Sequence, residues 1–443
     1  MAWYDEAVFY HIYPLGLLGT PEYNDHSHQE HRLRELKSWI GHMKDSGFTA
    51  LYLGPCFSSG SHGYDTADYR RVDERLGDNE DLKELVRCCH EEGIHVILDA
   101  VLNHTGREFF AFRDLKENRE NSRYRDWYLD VNFWGNNSYN DGFSYANWGG
   151  HDLLPKLNLY NPEVKEYHKE TIRFWVQEFD IDGLRLDAAD VLDFGFMHEL
   201  RELSYGLKED FWLLGEVIHG EYSRWVNNDM LDSVTDYALH KALYSGHNDH
   251  NYFEIAHTFK RQRDMGLGDT RLYHFVDNHD VERIITKLRD KRHYLPVHIL
   301  LYTLPGIPSV YYGSEFGIEG RKEQGSDASL RPALAIEDLP YDNEYYQIIK
   351  KLNYIHNTEA DLWYGDYREL QLTTTKYAFS RGDVLITVTN GDSEEFFDII
   401  VSGSYVGALS GRELVSDQGR LQFAMEGCSG EIWIPSARNG QYE

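Results

Sequence analysis

Short apolar runs alternate along this chain with longer stretches of helical period. The runs are VFYHIY (8–13), ALYLGP (50–55), HVILDAV (95–101), DGLRLDA (182–188), WLLGEV (212–217), SVTDYAL (233–239), RLYHFVDN (271–278) and PSVYYG (308–313). Each has strand length and is rich in β-branched or aromatic residues. Between the first two, HRLRELKSWIGHMKDSG places Leu33, Leu36, Ile40 and Met43 on one helical face. Between the second and third, NEDLKELVRCCHEEG does the same with Leu82, Leu85, Val86 and Cys89 and stops at Gly93. Asn161-Pro162-Glu163 has the order of cap, proline and acid that opens a helix. Eight strands alternating with helices predict an α/β fold, a (β/α)8 TIM barrel.

Two departures divide the chain. The segment 105–160 is too long for a simple βα loop and is rich in Asn, Trp, Tyr and Gly, which predicts a subdomain inserted after strand three. Near the C-terminus, ELQLTTTKYAFSRGDVLITVTN, FFDIIVSG, YVGALSG and GEIWIP read as short antiparallel strands with Gly turns. The expected organisation is a barrel over 1–104 and 161–358, the insertion over 105–160, and a C-terminal antiparallel β-sandwich over 359–443. The insertion carries Trp127, Trp134, Tyr139, Tyr145 and Trp148, which are expected to divide between a small core and a sugar-facing wall.

Composition narrows the partners. A formal net charge of −30 repels phosphate backbones and anionic membranes, so neither nucleic acid nor a lipid surface is expected. The 32 tyrosines suit a neutral, ring-shaped ligand with hydroxyls. Four cysteines, Cys56, Cys88, Cys89 and Cys428, show no metal-ligand spacing and favour reduced thiols. The N-terminus has no basic, then apolar, signal-peptide pattern, and no run of eighteen apolar residues occurs, so a cytoplasmic protein is expected.

The candidate chemistry lies at the C-terminal ends of the predicted strands, where barrel active sites form. Strand three ends in Asp99 and His104, strand four in Arg185 and Asp187, strand five in Glu216, and strand seven in His279 and Asp280. An isolated Asp there is usually a helix cap, and an isolated His a buried ring. Four strands converging with such groups are harder to attribute to packing. Retaining glycoside hydrolysis needs a carboxylate nucleophile beside a carboxylic acid. On that reading Arg185 and Asp187 share a strand face so that the guanidinium keeps a buried nucleophile charged, Glu216 is the acid/base, and Asp280 grips the sugar. A metal hydrolase built from the same acids and histidines is a competing reading.

LDAVLNH, GLRLDAAD, GEV and FVDNHD, in this order and spacing, resemble the signature regions of the α-amylase family of glycoside hydrolases (family 13). The likeness extends over almost the whole chain. It implies Asp187 as nucleophile, Glu216 as acid/base and Asp280 as transition-state stabiliser, with His104 and His279 on sugar hydroxyls. HGYD (62–65) resembles the family's loop after strand two, which implies Tyr64 stacking on the sugar and Asp65 paired with Arg331 of SLRPAL. LPKLN (154–158) resembles the MPKLN motif of neopullulanases, cyclomaltodextrinases and maltogenic amylases. Two features depart from that group: the first strand begins near Val8, leaving no room for its N-terminal domain, and Ile218 stands in GEVIH where a Trp is usual.

The resemblance therefore implies hydrolysis of short α-1,4-linked maltooligosaccharides, with cyclodextrins or pullulan, to maltose and glucose by a monomer or weak oligomer. An α-glucan transglycosylase, or an inactive amylase-like scaffold, is the alternative. No cofactor is expected. The family's usual calcium ligands would include Asn103, but Lys156 stands where an acid would be and Val191 where a His would be.

Overall fold

The computed structural model describes residues 2–267 and 272–441; Arg271, which opens the seventh apolar run, lies outside them. All eight runs form strands: β1 (Phe9–Ile12), β2 (Ala50–Leu53), β3 (His95–Ala100), β4 (Gly183–Leu186), β5 (Trp212–Gly215), β6 (Ser233–Val234), β7 (Tyr273–Phe275) and β8 (Ile307–Tyr311). They pair in parallel in the order β6-β5-β4-β3-β2-β1-β8-β7, and a parallel bridge between Thr235 and Tyr273 links the two ends. This is the barrel expected from the pattern.

The two faces of β4 show why its residues alternate. Leu184 and Leu186 join the large core shared with the surrounding helices, whereas Trp212, Leu214, Tyr273 and Ile307 of other strands fill the barrel interior. Arg185 is buried on the face opposite the leucines. Gly183 carries no side chain because a Cβ there would come within 2.5 Å of the Trp212 carbonyl on β5.

The expected helices form with their signals in place. Leu36–Ser46 (α1) buries Leu36, Ile40 and Met43, while Leu33 falls in the single 3-10 turn before it. Asn79–Glu91 (α2) opens on a capping box between Asp78 and Asp81. Pro162–Phe179 (α3) opens with the Asn161 side chain accepting from the Glu163 N–H.

Between β3 and α3, a helix (Phe110–Asn118) and a hairpin of Asn147–Trp148 with His151–Pro155 stand beside the barrel. Trp127 and Tyr145 are buried there with Phe112 and Phe143, whereas Trp134 is 98 % exposed. At the C-terminal end, six antiparallel strands and a separate two-stranded sheet (Glu395–Ile399 with Leu421–Met425) enclose a core containing Phe397, Phe423 and Trp433. Among the described residues no helix is long and apolar enough to cross a membrane.

Candidate active site

A cavity of about 1050 Å³ opens at the C-terminal ends of the barrel strands and is lined by Asp187, Glu216 and Asp280. Strand register builds its floor. Asp99 on β3 and Arg185 on β4 are paired positions of neighbouring parallel strands, so their side chains meet. Arg185 Nη1 donates to Asp99 Oδ1 at 2.8 Å and to Asp187 Oδ1 at 2.9 Å, while Nη2 lies 2.9 Å from Glu216 Oε1. One buried guanidinium thus holds three carboxylates from three strands.

Arg185 favours the charged form of Asp187 but shares its charge with Asp99 and Glu216. Burial raises the Asp187 carboxyl well above the usual range, Arg185 opposes this, and the neighbouring acids reinforce it. Glu216 is also raised, again chiefly by burial, against Arg185. Two raised carboxyls on one guanidinium behave as a pair that retains one proton to higher pH than an ordinary acid. Asp280 is the contrast: burial pushes it up, but His279, Arg331 and Arg185 outweigh that and hold it well below the usual range.

The turn after β4 serves the pair. Ala188 has φ of +47°, a left-handed conformation that costs an alanine about 1–2 kcal/mol. That turn aims its N–H at Glu216 Oε2, 2.9 Å away. Tyr237, just beyond β6, lies with its hydroxyl 3.5 Å from Glu216 Oε1 and accepts from Asn278 Nδ2 at 3.2 Å. Asn278 Oδ1 in turn accepts the N–H of Asp280.

The other expected residues gather around this centre. Tyr64 lines the cavity, donates to Asp99 Oδ2 at 3.0 Å and stacks on His279 at 5.7 Å between ring centroids. His279 Nε2 lies 3.1 Å from Asp280 Oδ2. His104 also lines the cavity, its Nε2 at 3.2 Å from the Tyr64 carbonyl oxygen; burial lowers it to about 3, so the ring is neutral at pH 7. Arg331 lines the cavity, but the expected pairing with Asp65 is not what forms. Arg331 donates to Asp280 Oδ1 at 2.8 Å and Asp327 Oδ2 at 3.2 Å and lies over the Tyr13 ring. Asp65 is buried beneath the loop and accepts from Ser61 at 2.9 Å. The β8 loop supplied a nearer acid, Asp327, four residues before Arg331. Of the five aromatics singled out in the insertion, Trp148 lines the cavity, 5.8 Å from the His104 ring.

Sequence reasoning missed Ala188, Tyr237, Asn278 and Asp327. Ala188 and Tyr237 carry no residue-type signal; Asn278 and Asp327 are recognisable only once the turns around Asp280 and Arg331 are folded.

Asn103, Lys156 and Val191 line a second cavity of about 280 Å³. The Asn103 Oδ1 is buried and without a hydrogen-bond partner. Calcium takes six to eight oxygen ligands. These three positions offer one amide oxygen, one ammonium and one alkyl group; Asp193 also lines the cavity, but the Lys156 and Val191 side chains bring no oxygen ligand to it.

Comparison with known proteins shows the family. The profile of "Alpha amylase, catalytic domain" matches residues 32–359. The chain belongs to the alpha-amylase family. Among relatives of this alpha-amylase-family chain, a cyclomaltodextrinase of Thermoanaerobacter pseudethanolicus is 33 % identical over 80 % of this chain and 62 % of its own length. The chain therefore spans less than two thirds of that relative. Neopullulanase 2 of Thermoactinomyces vulgaris is 31 % identical over 97 % of this chain and 78 % of its own. A solved cyclomaltodextrinase superposes with a TM-score of 0.87 at 25 % identity, covering 98 % of this chain and 78 % of that one.

Proposed function

We propose that this alpha-amylase-family chain is a retaining α-glucosidic bond hydrolase acting on short α-1,4-linked maltooligosaccharides, and on cyclodextrins or pullulan, with release of maltose and glucose. The observation that carries the proposal is Arg185 gripping Asp187 and Glu216 at 2.9 Å each within one cavity. Holding both carboxyls on one guanidinium keeps a nucleophile and an acid/base in the same site, as the two-carboxylate chemistry of retention requires.

In the first step Asp187 attacks the anomeric carbon while the proton of the pair, carried by Glu216, passes to the leaving oxygen. The Arg185 charge and the Ala188 N–H hold Glu216 in place for this transfer. Asp280, kept ionised by His279 and Arg331, binds sugar hydroxyls and stabilises the positive charge that develops at the ring. Tyr64 supplies a flat face for the same sugar and His104 contacts its hydroxyls, while His279, buried behind the Tyr64 ring, acts through Asp280. In the second step Glu216 takes a proton from water, whose oxygen bonds the anomeric carbon and frees Asp187.

Calcium has no part in this scheme, because Lys156 and Val191 stand where ligands would be needed. A cytoplasmic setting accords with four free cysteines. The LPKLN motif and the names of the relatives, cyclomaltodextrinase and neopullulanase, support soluble oligosaccharides over granular starch.

Product chromatography on maltotriose, β-cyclodextrin, pullulan and starch tests the substrate, and proton NMR tests the stereochemistry. Maltose and glucose with the α-anomer first is the expected outcome. A β-anomer formed first, or a kcat/KM on starch above that on maltohexaose per chain end, would contradict it.

A further inference from the structure

Arg283 follows Asp280 by three residues and is wholly buried, outside the cavity lining. Two carbonyl oxygens and a hydroxyl meet its guanidinium. Nη1 donates to the Tyr312 carbonyl at 2.6 Å and to Ser314 Oγ at 3.1 Å, and Nη2 donates to the Leu330 carbonyl at 3.0 Å. Ser314 Oγ in turn lies 2.8 Å from each oxygen of the buried Asp277 carboxyl. The group also rests over the Tyr311 ring, 4.2 Å from its centroid.

A buried cation must have partners, and these tie together two segments beside the catalytic acids. Arg283 belongs to the stretch that carries Asp280. Leu330 immediately precedes Arg331, whose Nη2 donates to Asp280 Oδ1 at 2.8 Å and whose Nε donates to the His279 carbonyl at 2.9 Å. The backbone is pinned on both sides of Arg331. The Leu330 carbonyl also accepts from the Tyr311 hydroxyl at 3.1 Å, and the Pro332 carbonyl accepts from the Tyr312 hydroxyl at 2.9 Å. The other end of the loop 320–332 is held by the same residue: the Arg283 N–H donates to the Gly320 carbonyl at 3.0 Å. The approach is close enough that a Cβ on Gly320 would lie 2.9 Å from Arg283 Cγ. A planar fork can reach oxygens of two segments at once, whereas an ammonium is a single point of charge.

We propose that Arg283 is a positioning residue for the reaction: by holding the Leu330 carbonyl it sets Arg331 against Asp280, and so places the carboxylate that faces the sugar ring. Arg283 touches no substrate and acts through Arg331. The inference rests on the reading of Asp280 given above.

A double-mutant cycle tests it, with Arg283→Lys and Arg331→Met alone and together. Arg283→Lys keeps the charge and loses the fork. It should lower kcat/KM on maltotriose by about 10²-fold, the scale of loss from a small misplacement of a group at the reacting centre. In the Arg331→Met background the same substitution should cost about twofold or less, because the contact through which it acts is already gone. The inhibition constant of 1-deoxynojirimycin, a cation that stands in for the charge developing at the ring, should rise in step with the fall in kcat/KM. Inhibition by neutral maltose should change less. If Arg283→Lys does not fold, Tyr311→Phe carries the cycle, since it removes one hydrogen bond from the same carbonyl; its loss should be about threefold and should vanish beside Arg331→Met. Equal losses in the two backgrounds, an unchanged kcat/KM in the folded variant, an Arg331→Met enzyme of wild-type activity, or equal weakening of both inhibitors overturns this inference alone. A wild-type enzyme without turnover on maltotriose overturns the glycosidase reading and this inference with it.

Discussion

Arg185 is the residue on which the site turns, because it touches Asp99, Asp187 and Glu216 while itself almost wholly buried. A charge so placed is stable only in company. The pair it serves has both pKa values raised by burial, so the proton needed for leaving-group protonation is kept above the ordinary carboxylate range. Activity should fall on the acid side as both acids protonate, and on the alkaline side as the pair loses its last proton. Tyr237 donates toward the ionised form of Glu216, so its loss favours the protonated form. In Tyr237→Phe the alkaline limb of kcat/KM should move to higher pH with the fold intact; an unmoved or acid-shifted limb contradicts the contact. Glu216→Gln should lower turnover of maltotriose by about 10²–10⁴. The loss on an activated aryl glycoside, which leaves without a proton, should be far smaller. Equal losses on the two would show that Glu216 does not protonate the leaving group.

At the scale of elements, register does most of the placing. Parallel pairing of β3 with β4 sets Asp99 opposite Arg185, and backbone pairing beyond β4 and β5 carries Asp187 and Glu216 to the same rim. Gly183→Ala would drive a Cβ to 2.5 Å from the Trp212 carbonyl and push β4 off β5. It should cost about 1–3 kcal/mol of stability by denaturant unfolding and lower kcat together with it. An unchanged midpoint and kcat would mean that this close approach does not matter. The eight strands were legible because each is a buried apolar run bounded by turn signals and separated by helical period. The pairing of Asp65 with Arg331 was not, since partner choice among loop acids depends on how the β8 loop folds back, and Asp327 is nearer. Ala188 was invisible for another reason: its contribution is a backbone N–H aimed by a positive φ, which side-chain identity does not encode.

The whole molecule joins a barrel, an inserted hairpin that brings Trp148 to the cavity, and a C-terminal β domain none of whose described residues lines it. On the proposed reading, the Lys156 side chain, in the cavity that Asn103 also lines, disfavours a bound cation there. EDTA should therefore leave Tm and turnover unchanged, and a fall in either that calcium reverses would contradict this. The central claim is that Asp187 forms a glycosyl ester within this alpha-amylase-family site. The most direct measurement is to trap that ester with a 5-fluoro-α-glucosyl fluoride and locate it by peptide mass spectrometry. The account predicts one added glycosyl group on the peptide containing Asp187; a label on Glu216 or Asp280 would contradict it.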